Sequence, residues 1–97
     1  MQYKVNFSDD VDRDLREIKT YMSNFSYQTA DRIVTNIIDQ ALDLANFPFR
    51  CQKISDSSTK RRLLVGNYSV FYEVYEETST VQILFVWHQS RNISHLT

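Results

Sequence analysis

The sequence predicts an α+β fold in which elements in the order β-α-α-β-β-β form an antiparallel sheet with an N-terminal helical hairpin packed on one face. Three observations predict it. Residues 2–46 contain one short alternating segment followed by two apolar stripes with helical spacing, residues 60–88 contain three alternating segments, and a polar loop separates the two parts. We expect residues 1–97 to form a single domain, because one Gly and one Pro leave little room for a flexible linker.

The first strand and the first helix are predicted at the N-terminus. Gln2 to Phe7 alternates between polar and apolar side chains, as a half-buried strand does. Ser8 is the expected N-cap of the helix, because a serine hydroxyl can accept a hydrogen bond from the first turn. The apolar side chains that follow are spaced three and four apart and form one stripe: Val11, Leu15, Ile18 and Met22.

A second helix is predicted after a break at residues 23–26. It should end near Asn46-Phe47-Pro48, because the residue before a proline disfavours helical geometry. Two helices joined by about four residues form an antiparallel hairpin, which we expect to cover the sheet. Phe49 to Thr59 is polar and rich in serine, which predicts an exposed loop.

Three consecutive strands are predicted for the remainder of the chain. They are Lys60 to Gly66, Tyr68 to Tyr75 and Val81 to His88. The last strand has apolar side chains on both faces, which is typical of a central strand. Simple alternation places two sets of apolar residues on opposite faces of this strand. One face carries Val81, Ile83, Phe85 and Trp87, and the other carries Leu84 and Val86.

The composition restricts the classes of partner. The net charge is −1, with five Lys or Arg against eight Asp or Glu in residues 1–49 and six against four in residues 50–97. A local basic patch of this size implies a focused nucleic-acid contact or an anionic protein partner. The single cysteine, Cys51, fits a reducing compartment. Because the sequence has no signal-peptide run and no apolar stretch of membrane-spanning length, we expect a cytoplasmic protein without membrane contact.

The run Lys60-Arg61-Arg62 is the first candidate site. Alternation places Lys60 and Arg62 on one face and Arg61 on the other. Two cations about 7 Å apart on one face can straddle a phosphate or a carboxylate. The alternative is a charged strand start that protects a sheet edge from pairing with other chains. We count Lys53 and Arg61 among the expected binding residues.

The two histidines are the candidates for proton transfer. His88 ends the last strand, three residues before Arg91, and an imidazole near its own pKa can move protons at neutral pH. His95 lies in the C-terminal tail. For both residues the alternative is an ordinary surface histidine. No second ligand lies at metal-binding spacing and no phosphate-binding loop is present, so we expect no metal and no cofactor.

The chain from about residue 2 to residue 91 resembles the RelE/ParE superfamily of toxins from bacterial type II toxin–antitoxin modules. An ordered set of segments carries the resemblance: Phe7-Ser8, Asp14-Leu15-x-x-Ile18-x-x-Tyr21, Leu44-Ala45-Asn46-Phe47-Pro48, Arg62-Leu63-Leu64-Val65-Gly66-Asn67-Tyr68-x-Val70-x-Tyr72 and Val81-x-Ile83-Leu84-x-Val86-x-His88-x-x-Arg91. The resemblance implies a RelE/ParE-like fold and a toxin that arrests growth when its antitoxin releases it.

Two branches of this superfamily act on different targets. The RelE-like branch implies ribosome-dependent cleavage of mRNA, with Lys60 and Arg62 at the scissile phosphate. In that case His88 or His95 is the acid or base, and Arg91 binds ribosomal RNA. The ParE-like branch implies inhibition of DNA gyrase without a nuclease site.

Two substitutions bear on the choice between the branches. An arginine carried by the nucleases is Ser69 here, and a further basic position is Gln89. Loss of an arginine that stabilises a phosphorane-like transition state raises the barrier to cleavage. We therefore favour the gyrase inhibitor. A ribosome-dependent endoribonuclease and an inactive relative that acts only in autorepression are the alternatives.

The resemblance also implies partners. They are a cognate antitoxin, then DNA gyrase or the ribosome with its mRNA, and operator DNA only indirectly through the antitoxin. The antitoxin segment should be partly disordered when free and lay a strand or an amphipathic helix over the sheet and the hairpin. Acidic residues of that segment should face Lys60, Arg61 and Arg62.

Overall fold

The computed structural model describes residues 2–88. Two helices and four strands follow one another as β1 (Lys4–Phe7), α1 (Asp9–Ser23), α2 (Tyr27–Asp43), β2 (Arg61–Val65), β3 (Tyr68–Tyr75) and β4 (Thr80–His88). This succession confirms the predicted α+β fold. That residues 1–97 form a single domain stays a prediction. Neither helix of residues 2–88 is long and apolar enough to cross a membrane.

The strands form one sheet in the order β1-β4-β3-β2, so β4 is central, as predicted. β2, β3 and β4 pair antiparallel through short turns. β1 instead runs parallel to β4, pairing Lys4 with Thr80 and Phe7 with Ile83. The prediction of a wholly antiparallel sheet is therefore wrong at β1. Since two helices and two strands separate β1 from β4, no tight turn imposes the antiparallel direction on this pair.

Serine side chains cap both helices. The Ser8 Oγ accepts a hydrogen bond from the Val11 N–H at 3.3 Å, and the Ser26 Oγ accepts one from the Thr29 N–H at 3.2 Å. These contacts confirm the N-cap at Ser8 and the break between the helices. The Ser8 hydroxyl also donates to the Leu84 carbonyl of β4 at 2.6 Å. The start of α1 is therefore attached directly to the sheet.

The core lies between the hairpin and one face of the sheet, which we call the helix face. The residues that share this core are Val11, Ile37, Ala41, Leu44, Leu63, Val65, Tyr68, Val70, Tyr72, Val81, Ile83 and Val86. Tyr72 is fully buried, and its hydroxyl donates to the Pro48 carbonyl at 2.9 Å. Burial raises the pKa of the Tyr72 hydroxyl well above its ordinary value. This bond ties β3 to the segment that follows α2.

A β-bulge interrupts the pairing of β3 with β4. Phe71 pairs with Phe85, but the next residue of β3, Tyr72, pairs with Ile83. Leu84 is therefore an extra residue in β4. One extra residue reverses the alternation of side chains beyond it.

The bulge corrects the predicted faces of β4. Val86 lies on the helix face with Val81 and Ile83 and is buried in the core. Phe85 and Trp87 lie on the opposite face, as the pairing of Phe85 with Phe71 requires. The prediction that Phe85 and Trp87 share a face with Val81 is wrong, because simple alternation ignores the extra residue.

Candidate functional site

The face of the sheet opposite the helices, which we call the open face, carries basic and aromatic side chains. Arg62 and Leu64 of β2 lie on it, opposite Phe71 and Ser69 of β3. The Phe71 ring stacks on the Phe85 ring with centroids 4.7 Å apart. Arg62 therefore stands beside a stacked aromatic pair in the middle of the sheet.

Arg62 is oriented by a hydrogen bond within the chain. Its Nε donates to the Ser69 Oγ at 3.0 Å, and Ser69 is only 2% exposed. Within residues 2–88, the two Nη atoms of Arg62 make no hydrogen bond or ion pair. A planar guanidinium presented in this way suits bidentate contact with a carboxylate or a phosphate.

Lys60 lies close to the carboxylate of Glu73. Glu73 of β3 accepts hydrogen bonds from the hydroxyl groups of Thr59 and Tyr75, the latter at 2.8 Å. The bond from Thr59, together with the bond from Tyr75 and the charge of Lys60, lowers the pKa of Glu73. Glu73 is thus ionised at neutral pH, and a phosphate that approaches Lys60 meets a negative charge.

Arg61 contacts other residues of the chain and so contributes to the fold. As predicted, it lies on the face opposite Arg62, and its Nη1 donates to the Cys51 carbonyl at 2.6 Å. Its guanidinium also lies 5.0 Å from the centroid of the Phe49 ring. Lys53 forms an isolated antiparallel bridge with Arg61 and is exposed. Arg61 therefore fastens the loop to β2, while Lys53 offers a cation to the solvent.

His88 lies on the helix face at the end of β4. It pairs with Tyr68 in the strand register, and its ring packs edge-on against the Tyr68 ring at 4.9 Å. The bulge at Leu84 is the cause, because without the extra residue the alternation would place His88 on the open face with Arg62. His88 and Arg62 are consequently on opposite sides of the sheet.

Two predicted site residues, Arg91 and His95, lie outside the described residues. Within residues 2–88, no group of three or more His, Cys, Asp or Glu side chains could hold a metal ion. Of the predicted site residues that the structure describes, Lys60 and Arg62 belong to the open face. His88 is separated from both.

Sequence reasoning missed Asp14. Its Oδ2 accepts a hydrogen bond from the Val86 N–H of β4 at 2.9 Å, and burial raises its pKa. Asp14 lines a cavity of about 340 Å³ between α1 and the end of the sheet at His88. The sequence contains a signal that identifies Asp14. This residue is three positions after Val11 and four before Ile18, so a carboxylate lies on the apolar stripe of α1.

The chain belongs to a family of toxins. The model of the family described as "ParE toxin of type II toxin-antitoxin system, parDE" matches residues 5–93. This match and the fold define the class of protein, a toxin of a type II toxin–antitoxin system. Within that class, the chain is a member of the ParE toxin family and of the RelE/ParE superfamily, as the sequence predicted. No curated protein sequence matches it.

Solved structures of related toxins share the fold. The chain is 25% identical to a chain of the RelBE2 toxin–antitoxin complex of Mycobacterium tuberculosis, with a TM-score of 0.72 over 91% of this chain and 99% of that one. A chromosomal ParDE system of P. aeruginosa gives 19% identity and a TM-score of 0.75 over 90% and 96%. The intact E. coli RelBE complex gives 13% and 0.63 over 92% and 99%. These likenesses confirm the predicted RelE/ParE-like fold.

Proposed function

We propose that this toxin arrests growth in the cytoplasm by binding DNA gyrase and not by cutting mRNA. The placement of Arg62 and His88 on opposite faces of the sheet carries the proposal. Cleavage by general acid–base catalysis needs the proton-transfer group and the phosphate-binding cations within reach of one substrate. This pair does not meet that requirement.

The charges of the open face support a binding role. Lys60 stands beside the ionised Glu73, and Arg62 is held by Ser69, where a nuclease of the superfamily carries a further arginine. Fewer cations can then stabilise the charge that develops on a phosphorane-like transition state. Acidic side chains of a protein partner, in contrast, can bind the Nη atoms of the exposed Arg62.

Exposed aromatic residues at the turn of the hairpin support the same proposal. Tyr21, Phe25 and Tyr27 are 62%, 70% and 76% exposed. The rings of Tyr21 and Phe25 pack edge-on at 5.5 Å. Aromatic side chains are enriched in protein interfaces. We infer that the turn of the hairpin and the cations of the open face, Lys60 and Arg62, contact gyrase together.

A cognate antitoxin is the second partner that we propose. Membership of a toxin–antitoxin family supports it, and the similar structures from M. tuberculosis and E. coli are toxin–antitoxin complexes. Its segment would lay a strand or an amphipathic helix over the sheet and hairpin, with acidic residues facing Lys60 and Arg62. Operator DNA would be contacted through the antitoxin.

Induction of the toxin without antitoxin tests the proposal. In the same cells, transcript ends are mapped by primer extension and plasmid topology is measured. We expect growth arrest, intact transcripts and loss of negative supercoiling. Transcripts cut in translated regions, with unchanged topology and with cuts abolished by Lys60→Ala and Arg62→Ala, would establish the endoribonuclease instead. Harmless accumulation of folded protein would favour an inactive relative that acts in autorepression.

A further inference from the structure

The cavity beneath α1, which we call the α1 pocket, combines two kinds of wall. Ile18, Met22 and Val86 give it apolar surface, while Asp14 and Glu17 bring two carboxylates. The phenol rings of Tyr21 on α1 and Tyr68 on β3, together with the imidazole of His88, complete the lining. Its volume of about 340 Å³ suffices for one long side chain or a small ligand.

The basic residues of α1 form their ion pairs with carboxylates outside the pocket. Arg13 pairs with Asp10 at 3.3 Å, Arg16 with Asp12 at 2.7 Å, and Lys19 with Asp31 at 3.2 Å. In the part of the chain that the structure describes, Asp14 and Glu17 have no ion pair. Within residues 2–88, the Lys and Arg ion pairs therefore leave Asp14 and Glu17 without a basic partner.

Asp14 is the more informative of the two carboxylates. One of its oxygens, Oδ2, accepts the Val86 N–H at 2.9 Å, the carboxylate has a second acceptor in Oδ1, and the residue lines the pocket. Burial raises the pKa of the Asp14 carboxyl, and the neighbouring charge of Glu17 acts in the same direction. A cation in the pocket would oppose both effects and stabilise the ionised carboxylate.

We propose that the α1 pocket binds the side chain of an arginine or a lysine of the antitoxin, an inference that rests on the proposed antitoxin partner. The alkyl stem would pack on Ile18, Met22 and Val86, and the charged end would meet Asp14 and Glu17. The phenol rings add attraction for a cation that lies over them. An anionic side chain would be repelled, and an apolar one would leave two carboxylates further desolvated.

The position of the pocket favours the antitoxin over other occupants. Tyr21 lines the pocket and also packs against the exposed Phe25, so the pocket is continuous with the aromatic surface of the hairpin. The proposed antitoxin segment covers that surface.

The first test uses the purified full-length chain and a minimal probe. NMR spectra are recorded during titration with N-acetyl-arginine amide and with N-acetyl-citrulline amide, which has a similar shape without the charge. We expect the amide signals of Val86 and residues 14–22 to shift saturably with the arginine probe alone. Equal shifts with both probes, or shifts spread over all acidic surfaces, would overturn the proposal.

Charge-neutral variants locate the binding. Glu17→Gln removes one charge, and Asp14→Asn removes the other while its Oδ1 can still accept the Val86 N–H. Each should weaken binding of the arginine probe by about fivefold, the amount that a partly exposed ion pair contributes. Glu76→Gln, at the turn between β3 and β4 and therefore far from the pocket, is the matched control and should leave the affinity unchanged.

The second test asks whether the antitoxin uses the pocket. The affinity of each toxin variant for the antitoxin from the same operon is measured. Glu17→Gln should bind about fivefold more weakly than Glu76→Gln. Equal affinities would overturn the assignment to the antitoxin. Tighter binding of the arginine probe by Arg91→Gln would overturn it as well, because this chain's own arginine would then occupy the pocket.

The two proposals fail in distinguishable ways. Absence of growth arrest and of gyrase inhibition would remove the proposed toxin mechanism, but the titration with the arginine probe needs neither activity. Loss of discrimination between arginine and citrulline would remove the pocket and leave the gyrase proposal standing.

Discussion

Arg62 donates a hydrogen bond from its Nε to the buried hydroxyl of Ser69, across the antiparallel pair of β2 and β3. The bond holds the guanidinium against the sheet, while its Nη atoms make no hydrogen bond or ion pair within residues 2–88. A serine thus orients one cation at the position where the RelE-like pattern implies a further arginine. This arrangement suits recognition of a partner better than stabilisation of a phosphoryl transition state.

Ser69→Ala should weaken inhibition of the target. The substitution removes the hydroxyl that orients Arg62, so part of the binding energy must be spent on ordering the side chain. We expect a loss of several-fold in inhibitory potency and a loss of about 1 kcal/mol in the free energy of unfolding. Urea denaturation and a supercoiling assay measure the two effects. Ser57→Ala, in the exposed loop, is the control, and equal potency of both variants would refute the role of the bond.

Ser8→Ala should destabilise the protein more than Ser26→Ala. Both serines cap a helix, and loss of a cap costs about 1 kcal/mol. Ser8 alone of the two also donates to a strand carbonyl, that of Leu84, so its loss removes a second hydrogen bond of about 1 kcal/mol. Chemical denaturation of both variants measures the difference. Equal destabilisation would show that the contact with β4 contributes nothing.

Glu73→Gln should change how stability depends on pH. The bond from Thr59 lowers the pKa of Glu73 in the folded state below the ordinary 4.5, so the folded protein binds fewer protons in this range than the unfolded chain. The resulting stabilisation is present above about pH 4.5 and is lost as the pH falls through the lowered pKa. We therefore expect the wild type to exceed the variant in Tm at pH 7 and to lose that advantage in acid. A constant difference in Tm would contradict this account.

Gly66→Ala should be more harmful than its exposed position suggests. Gly66 has a φ of +57°, in the left-handed region, where an alanine is strained. Apart from the two neighbouring residues, no atom of residues 2–88 lies within 4 Å of the added methyl group, so the cost is that of the backbone, about 1 kcal/mol. Thermal unfolding of Asn67→Ala, at the next position of the turn, is the comparison. Similar Tm values for both variants would mean that the turn tolerates a different backbone conformation.

Local sequence rules predicted the elements well. Three predicted features depend only on neighbours a few residues away. They are the N-cap at Ser8, the spacing of apolar residues along α1, and the strand Tyr68–Tyr75. Such interactions act within a single turn or a single strand, so the sequence displays them directly. Alternation within a single strand also predicted that Arg61 and Arg62 lie on opposite faces of the sheet.

Long-range features escaped prediction. The parallel pairing of β1 with β4 joins segments more than seventy residues apart, and no local pattern encodes its direction. Beside the bulge at Leu84, the Ser8 hydroxyl and the Asp14 carboxylate bond to β4, and both contacts join segments about seventy residues apart. Because the position of His88 follows from that bulge, the candidate site could not be assembled from the sequence alone.

Inhibition of purified DNA gyrase tests the central claim most directly. Relaxed plasmid, gyrase and ATP are incubated with increasing amounts of the purified toxin, and supercoiling is followed on a gel. We predict that supercoiling is lost at micromolar toxin and restored when the antitoxin of the same operon is added. Full supercoiling at every concentration of folded toxin would contradict the account.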